Sequence, residues 1–246
     1  MIFPPIKAIF WDLDGTLAYW HDLRVISRTA RLYLSLRPSD ISWGFALLSA
    51  TKAYLQILRN SGSINNDALY KKMLSRSWKK PEAEIQEMTR NLLRHPDLSE
   101  ILRTSIRPIP EAFELVDLVH RQQRPQLVAT NPVMPCEFNR LRLSIAGYDT
   151  SGFQYISGSE DFVGQKKSVD FYHRLLEISG FQPEDCLMIG NDPSKDLIAR
   201  KAGILVFLLR NPFTVSAPFP ESCEPHWEGT YADLKNILEE SPTSHV

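Results

Sequence analysis

The chain has 246 residues, with 28 lysines and arginines against 29 aspartates and glutamates, and a formal net charge of −1. Its 43% hydrophobic and 23% charged residues are typical of a globular protein, and they exclude a disordered, collagen-like or coiled-coil chain. The near-neutral balance argues against a general nucleic-acid binder, which needs a basic surface. The length allows one large domain, or a core with a smaller second domain.

The cysteines and the apolar segments bear on the cellular compartment. Cys136, Cys186 and Cys223 lie far apart, without the spacing of a zinc site or a disulfide framework. The N-terminal segment carries an acidic pair where a signal peptide needs an unbroken apolar stretch. The longest apolar run, 204–209, is far shorter than the ~20 residues of a membrane span. We therefore expect a protein of the reducing cytoplasm, with no membrane or nucleic-acid partner.

Short apolar segments alternate with amphipathic stretches along most of the chain. Five segments have the length and bulk of buried strands, namely 6–11, 126–130, 153–156, 186–189 and 204–209. Four stretches have helical spacing, namely 111–123, 136–146, 168–179 and 194–202. Strands that alternate with helices predict an α/β fold, in which a parallel sheet has helices on both faces.

Residues 18–105 have a different pattern. Apolar residues recur there at helical spacing, no strand is evident, and Pro, Gly and Asn breakers cut the stretch into about four helices. We therefore predict an α/β core of residues 1–17 and 106–246 with an all-helical insert of residues 18–105. We also predict a frayed tail at 240–246.

The charges divide in the same way as these two patterns. The insert carries 14 basic and 8 acidic residues, a net of +6, and the remainder has a net of −7. The basic excess either solvates the outer faces of the insert or partly faces the core and attracts an anionic substrate.

Two acidic clusters follow predicted strands. Asp12 and Asp14 stand in DLDGTL directly after the first strand, where buried carboxylates are costly without a cation or a reacting partner. Asp192 and Asp196 follow a later strand, in IGNDPSKD, at a predicted helix start where they would also compensate the helix dipole. Because ligands bind beyond the carboxyl ends of such strands, we expect one oxygen-ligand site suited to Mg²⁺.

Four short motifs follow one another along the chain. They are DLDGT at residues 12–16, Thr130 at the end of a predicted strand, Lys166 before a predicted helix, and Asp192 with Asp196 after a predicted strand. In kind and in order they resemble the four motifs of the haloacid dehalogenase-like superfamily, which consists mostly of phosphatases, and the resemblance covers the whole chain. The resemblance implies a three-layer Rossmann-like core with an all-helical cap inserted after the first strand, as in the phosphoglycolate phosphatase-like branch.

The resemblance also implies roles for the reacting residues. Asp12 would attack phosphorus to form an aspartyl-phosphate. Asp14 would protonate the leaving alcohol and then deprotonate the attacking water. Thr130 and Lys166 would bind the phosphoryl oxygens and stabilise the charge that develops on them. Asn131 is a further candidate for phosphate binding, because Pro132 fixes the backbone there and either aims the Asn131 amide at the phosphate or only stiffens the loop.

The cofactor implied by the resemblance is Mg²⁺. Asp12, the main-chain carbonyl of Asp14 and Asp192 would hold it, and Asp196 would support the metal shell or orient Lys166. Asn191 is the rival of Asp192 as the metal ligand, although the spacing from Asp192 to Asp196 is a common one.

Further assignments stay open in the sequence. Lys167 is the neighbour and rival of Lys166, and the helical register favours Lys166. In the insert, Arg24 and Arg28 lie one turn apart on the first predicted helix. They are the candidates for contacting a distal anion of the substrate.

The expected function is that of a Mg²⁺-dependent phosphatase acting on a small phosphorylated metabolite, with the cap closing over the active site. The alternatives are a sugar phosphomutase of the same superfamily and a phosphatase fold that binds ligands without turnover. A dehalogenase is disfavoured because Asp14 is retained. Neither the substrate nor the oligomeric state follows from the sequence.

Overall fold

A six-stranded parallel sheet lies at the centre of the computed structural model, which describes residues 4–241. Its strands are β1 (Ala8–Trp11), β4 (Gln126–Val128), β5 (Tyr155–Ile156), β6 (Cys186–Gly190), β7 (Leu205–Leu209) and β8 (Trp227–Gly229). The spatial order is β5-β4-β1-β6-β7-β8, so the first strand of the chain lies in the middle. The predicted α/β fold is confirmed. The strand β8 was not predicted, because its three residues, WEG, give no apolar run.

Helices cover both faces of this sheet. They are α6 (Pro110–Arg121), α7 (Cys136–Ile145), α8 (Val169–Ser179), α9 (Pro193–Asp196) and α10 (Tyr231–Glu240). A 3₁₀ segment, Leu197–Ala202, continues α9, where the sequence predicted one helix over 194–202. In β1, Ile9 and Trp11 pack into one apolar cluster, while Ala8 and Phe10 pack into another. The alternation shows that both faces of the central strand are buried, as in other helix-covered parallel sheets.

Five helices lie between β1 and α6, where about four were predicted. They are α1 (Arg24–Ser35), α2 (Trp43–Ile57), α3 (Asn66–Trp78), α4 (Glu82–Arg94) and α5 (Pro96–Ser105). Only His95 separates α4 from α5, and its side chain accepts a hydrogen bond from the main-chain nitrogen of Asp97. Pro96 has no N–H to continue α4 but fits the first position of α5. The predicted count is therefore wrong by one helix.

A two-stranded antiparallel ribbon connects this helical stretch to the rest of the chain. Its strands are β2 (Ala18–Trp20) and β3 (Ile106–Pro108), in which Ala18 is paired with Pro108. The prediction of no strand in residues 18–105 is therefore wrong for β2, whose three residues are too few to show a strand pattern. The division into core and insert domains at these positions stays a prediction.

The predicted frayed tail, 240–246, is wrong for its first two residues. Glu240 is the last residue of α10, and Ser241 is buried. The Ser241 hydroxyl donates to the carbonyl of Pro4 at 2.9 Å, and its own carbonyl accepts from Arg124 at 2.6 Å. The rest of the predicted tail, 242–246, lies outside the described residues. Between residues 4 and 241, no helix is both long and apolar enough to cross a membrane.

Candidate active site

A buried ion cluster forms where the strands of the sheet end. The Nζ atom of Lys166 lies 2.6 Å from Oδ1 of Asp12 and 2.6 Å from Oδ1 of Asp196. Asp12 directly follows β1, Asp196 ends α9, and Lys166 precedes α8. The side chain of Lys166 is 1% exposed, so these two carboxylates must compensate its charge.

Burial and the neighbouring charges shift the pKa values of Asp12 and Lys166. Burial raises the pKa of Asp12 to about 7, a rise that Lys166 opposes and that Asp196 adds to. Burial by itself would lower the pKa of Lys166, but Asp12 and Asp196 together raise it above its ordinary value. Lys166 is therefore a charged ammonium shared by two acidic groups, and Asp12 is only partly compensated by it.

The loop after β4 is connected to the loop that carries Lys166. The main-chain N–H of Thr130 donates to Oγ of Ser157 at 2.9 Å, and that hydroxyl donates back to the Thr130 carbonyl at 3.0 Å. The side-chain oxygen of Asn131 accepts from the main-chain N–H of Lys166 at 3.0 Å. Lys166 is the buried lysine of the pair, while Lys167 is exposed.

The two candidates for the remaining metal ligand point in different directions. The amide of Asn191 accepts from the hydroxyl of Thr16 at 3.3 Å, so it lies against the turn after β1. Gly15 in that turn has a φ of +85°, which favours glycine, and a Cβ at this position would collide with the Asn191 amide. Both the backbone conformation and the lack of space therefore require glycine here. The carboxylate of Asp192 turns toward the start of α9, where it accepts from Ser194 at 2.6 Å.

The charge state of Asp192 follows from its partners. Its Oδ2 atom lies 2.6 Å from Nζ of Lys195. Burial would raise the pKa of Asp192, but hydrogen bonds from Lys195 and Ser194 lower it below its ordinary value. Asp192 is therefore ionised, as a metal-ligating carboxylate must be.

Asp14 does not join the Lys166 cluster through a hydrogen bond. Its carboxylate forms an ion pair with the guanidinium of Arg142, a residue of α7 that sequence reasoning missed. One feature of the predicted helix over 136–146 could have indicated the role of Arg142. Asn139 and Arg142 occupy the buried stripe of α7 between Phe138 and Leu143, where polar residues are unusual.

Asn66, at the start of α3, was also missed. Its Nδ2 atom donates to the carbonyl of Pro132 at 2.8 Å and to the carbonyl of Gly164 at 2.7 Å. Its Oδ1 atom accepts from the main-chain N–H of Gly164 at 3.0 Å. Asn66 is fully buried, so the helical stretch is fastened to both loops that carry the predicted phosphate-binding residues.

We expect Asn66→Ala to lower the free energy of unfolding by about 2–4 kcal/mol, because main-chain groups of Pro132 and Gly164 lose their buried partners. Urea denaturation followed by circular dichroism measures this loss. The matched control is Asn236→Ala at an exposed site of α10, which we expect to stay within about 0.5 kcal/mol of the unmodified protein. Equal stability of the two variants would contradict the assignment.

Arg24 and Arg28 are not brought into this cluster. Arg24 is exposed and pairs with Asp22, at 3.0 Å from its Nε atom. Arg28 donates to the hydroxyl of Thr104 at 3.2 Å. Their role in contacting the substrate stays a prediction without support from these contacts.

The donors near the strand ends determine whether a metal fits. In the part of the chain that the structure describes, no three His, Cys, Asp or Glu side chains are close enough to hold a metal. The Asp14 carboxylate is directed to Arg142, and that of Asp196 is directed to Lys166. The predicted site needs only the Asp12 carboxylate, the main-chain carbonyl of Asp14 and one oxygen from residue 191 or 192. These hard oxygen donors fit Mg²⁺, and the partial compensation of Asp12 favours a further cation beside it.

A comparison with known families decides to which one this arrangement belongs. The family model described as haloacid dehalogenase-like hydrolase matches residues 6–203, well over half of the chain. The chain belongs to the haloacid dehalogenase-like hydrolases. The resemblance inferred from the four motifs is thereby confirmed, and the protein is a hydrolase of this superfamily.

Three solved structures of this superfamily show how far the similarity extends. The putative hydrolase YfnB from Bacillus subtilis, bound to magnesium, has a TM-score of 0.54 and 20% identity over 95% of this chain and 99% of its own. The L-2-haloacid dehalogenase from Xanthobacter autotrophicus has a TM-score of 0.55 and 14% identity over 96% and 100%. A predicted phosphoglycolate phosphatase from Haemophilus somnus has a TM-score of 0.52 and 19% identity over 94% and 97%.

These identities establish a shared fold and no more, because phosphatases and dehalogenases are both among the similar structures. No curated protein matches the sequence. Only the residues of its own site can therefore indicate which reaction this haloacid dehalogenase-like hydrolase catalyses.

Proposed function

We propose that this hydrolase is a Mg²⁺-dependent phosphatase that cleaves a small phosphomonoester through an aspartyl-phosphate on Asp12. The observation that carries the proposal is the contact of Lys166 with Asp12, with a second carboxylate, Asp14, two residues further on. The first carboxylate supplies a nucleophile, and the second supplies the acid and base that hydrolysis through a covalent intermediate needs.

Asp12 is held in place for an attack on phosphorus. Its main-chain N–H donates to the carbonyl of Ile189 at 2.8 Å, which fixes it to the end of β6. The Lys166 ammonium favours the ionised, nucleophilic form of the carboxylate, and its charge also attracts the oxygens of an approaching phosphate. Thr130 and Asn131 lie on the neighbouring loop and complete the proposed phosphate-binding set.

Asp14 differs from Asp12 in its access to solvent. Its side chain is 44% exposed, against 11% for Asp12, so it can exchange protons with a leaving alcohol and with water. Cleavage of a carbon–halogen bond releases halide and needs no such proton. The second carboxylate therefore favours a phosphatase over a dehalogenase.

The proposed cofactor is Mg²⁺. Asp12, the main-chain carbonyl of Asp14 and Asp192 would hold it, and when bound it neutralises the negative charge of the phosphate. Asp196 keeps Lys166 charged and accepts from the main-chain N–H of Asp192 at 2.8 Å, so it supports both parts of the site.

The proposed partner is a small phosphorylated metabolite, and the proposed compartment is the cytoplasm. Phosphate release from p-nitrophenyl phosphate, acetyl phosphate and a panel of phosphorylated metabolites tests the reaction. Release in the presence of Mg²⁺ supports the proposal, and no release from any of them contradicts it. A long-lived aspartyl-phosphate that passes its phosphoryl group to a sugar would identify a phosphomutase instead.

We expect removal of Mg²⁺ with EDTA to abolish phosphate release, and added Mg²⁺ to restore it. Isothermal titration of Mg²⁺ separates the two candidate ligands without depending on turnover. Asp192→Ala should weaken Mg²⁺ binding roughly a hundredfold or more, whereas Asn191→Ala should weaken it less than about tenfold. The reverse order would assign the ligand to Asn191, and no Mg²⁺ binding by the unmodified protein would overturn the cofactor.

A further inference from the structure

We propose that Arg142 is a positioning residue that holds the carboxylate of Asp14, and that it acts on the reaction only through Asp14. This inference rests on the proposed function, in which Asp14 is the acid and base. It assigns a role to a residue of α7 that lies outside the four sequence motifs.

The first evidence is the cost of burying Arg142. Its side chain is only 7% exposed, and among residues 4–241 the carboxylate of Asp14 is the only one paired with its guanidinium. A buried guanidinium is unfavourable unless its charge and its N–H groups are compensated. Asp14 is therefore the group that makes this position of Arg142 tenable, and the pairing in turn restricts the carboxylate to one orientation.

The second evidence is the rigidity of the support behind Arg142. Its Nη1 atom donates to Oδ1 of Asn139 at 3.3 Å, and Nδ2 of Asn139 donates to the carbonyl of Ser157 at 2.9 Å. The Ser157 hydroxyl is the one that bonds to both main-chain groups of Thr130. One chain of hydrogen bonds therefore joins the holder of Asp14 to the proposed phosphate-binding loop.

The third evidence is the contact on the other face of the guanidinium. The Cζ atom of Arg142 lies 4.4 Å from the ring centroid of Trp20, within cation–π range. Trp20 belongs to β2 and is paired with Ile106 of β3. The planar guanidinium is thus stacked on a ring and hydrogen-bonded at its edge, which a lysine reproduces only in charge.

These contacts serve catalysis because Asp14 is otherwise loosely held. A side chain that is 44% exposed samples several rotamers, whereas proton transfer needs its oxygens at a fixed distance from the leaving group. Arg142 removes that freedom. Its effect should therefore be largest for substrates whose leaving group needs the proton.

The test compares two substrates in variants at Arg142. We expect Arg142→Met to lower kcat about 10–100-fold for phenyl phosphate, a poor leaving group, and only severalfold for p-nitrophenyl phosphate, with KM little changed. Arg142→Lys should recover part of the loss by restoring the charge. In an Asp14→Asn background, Arg142→Met should cause no further loss. Arg140→Met on the same helix should behave as the unmodified protein.

The outcomes separate this inference from the proposed function. If the unmodified protein releases no phosphate, the proposed function fails and this inference fails with it. A different result overturns this inference alone. In that case the unmodified protein is active, but Arg142→Met lowers kcat equally for both substrates and lowers it again in the Asp14→Asn background. Arg142 would then have only a structural role. If Arg142→Met does not fold, Trp20→Leu loosens the same guanidinium from its other face and should reproduce the selective loss. An unselective loss there overturns the inference.

Discussion

Asp12→Asn should reduce phosphate release at least ~10⁴-fold, the largest effect on activity that we expect. The amide has nearly the shape of the carboxylate but is too weak a nucleophile to form the aspartyl-phosphate. Its side-chain oxygen can still accept from Nζ of Lys166, so the surrounding contacts persist. Steady-state phosphate release with p-nitrophenyl phosphate and Mg²⁺ measures the loss.

The control for this variant is Asp117→Asn, which removes an exposed carboxylate on α6. We expect it to keep the activity of the unmodified protein. Circular dichroism should show that both variants are folded. Phosphate release by purified Asp12→Asn above one-hundredth of the normal rate would overturn the assignment of the nucleophile. Activity at that level would show that the reaction does not depend on the Asp12 carboxylate.

Lys166→Met should cause the largest loss of stability, about 3–5 kcal/mol in the free energy of unfolding. Methionine fills much of the space, but Asp12 and Asp196 lose the one ammonium that they share. Asp196 is fully buried, so water cannot take the place of the lysine. Urea denaturation in the absence of Mg²⁺ measures the loss.

Lys167→Met is the matched control, since it removes an exposed lysine from the adjacent position. Surface substitutions of this kind stay within about 0.5 kcal/mol. Combining Lys166→Met with Asp196→Asn should recover part of the lost stability, because one of the two uncompensated carboxylates is then neutral. Equal stabilities of the two lysine variants would show that the buried ion cluster does not stabilise the fold.

The central part of the site could be predicted because local patterns and one topological rule suffice for it. Asp12, Thr130 and Asp192 each follow an apolar run, and parallel strands bring such positions to one edge of a sheet. The choice of Lys166 over Lys167 likewise followed from helical register, and in the structure Lys166 is buried while Lys167 is exposed. Their catalytic roles stay predictions until they are measured.

The supporting residues could not be predicted because their partners depend on packing between distant elements. Arg142 meets Asp14 across 128 positions of sequence, and Asn66 meets Gly164 across 98. No periodicity records such a contact. Nor did any pattern indicate that Asn191 would lie against Thr16, because the path of the chain after Gly190 determines the direction of its side chain.

The strands β2 and β3 pair with each other, so the two ends of the helical stretch between them lie side by side. These two ends are hydrogen-bonded neighbours, so their separation does not depend on how much chain lies between them. Segments attached at adjacent ends are the ones that proteins most readily exchange for longer or shorter versions. The length and sequence of residues 21–105 can accordingly change at positions other than Asn66, which bonds to the loops outside the segment, while the strand ends that carry Asp12 and Asp192 keep their places.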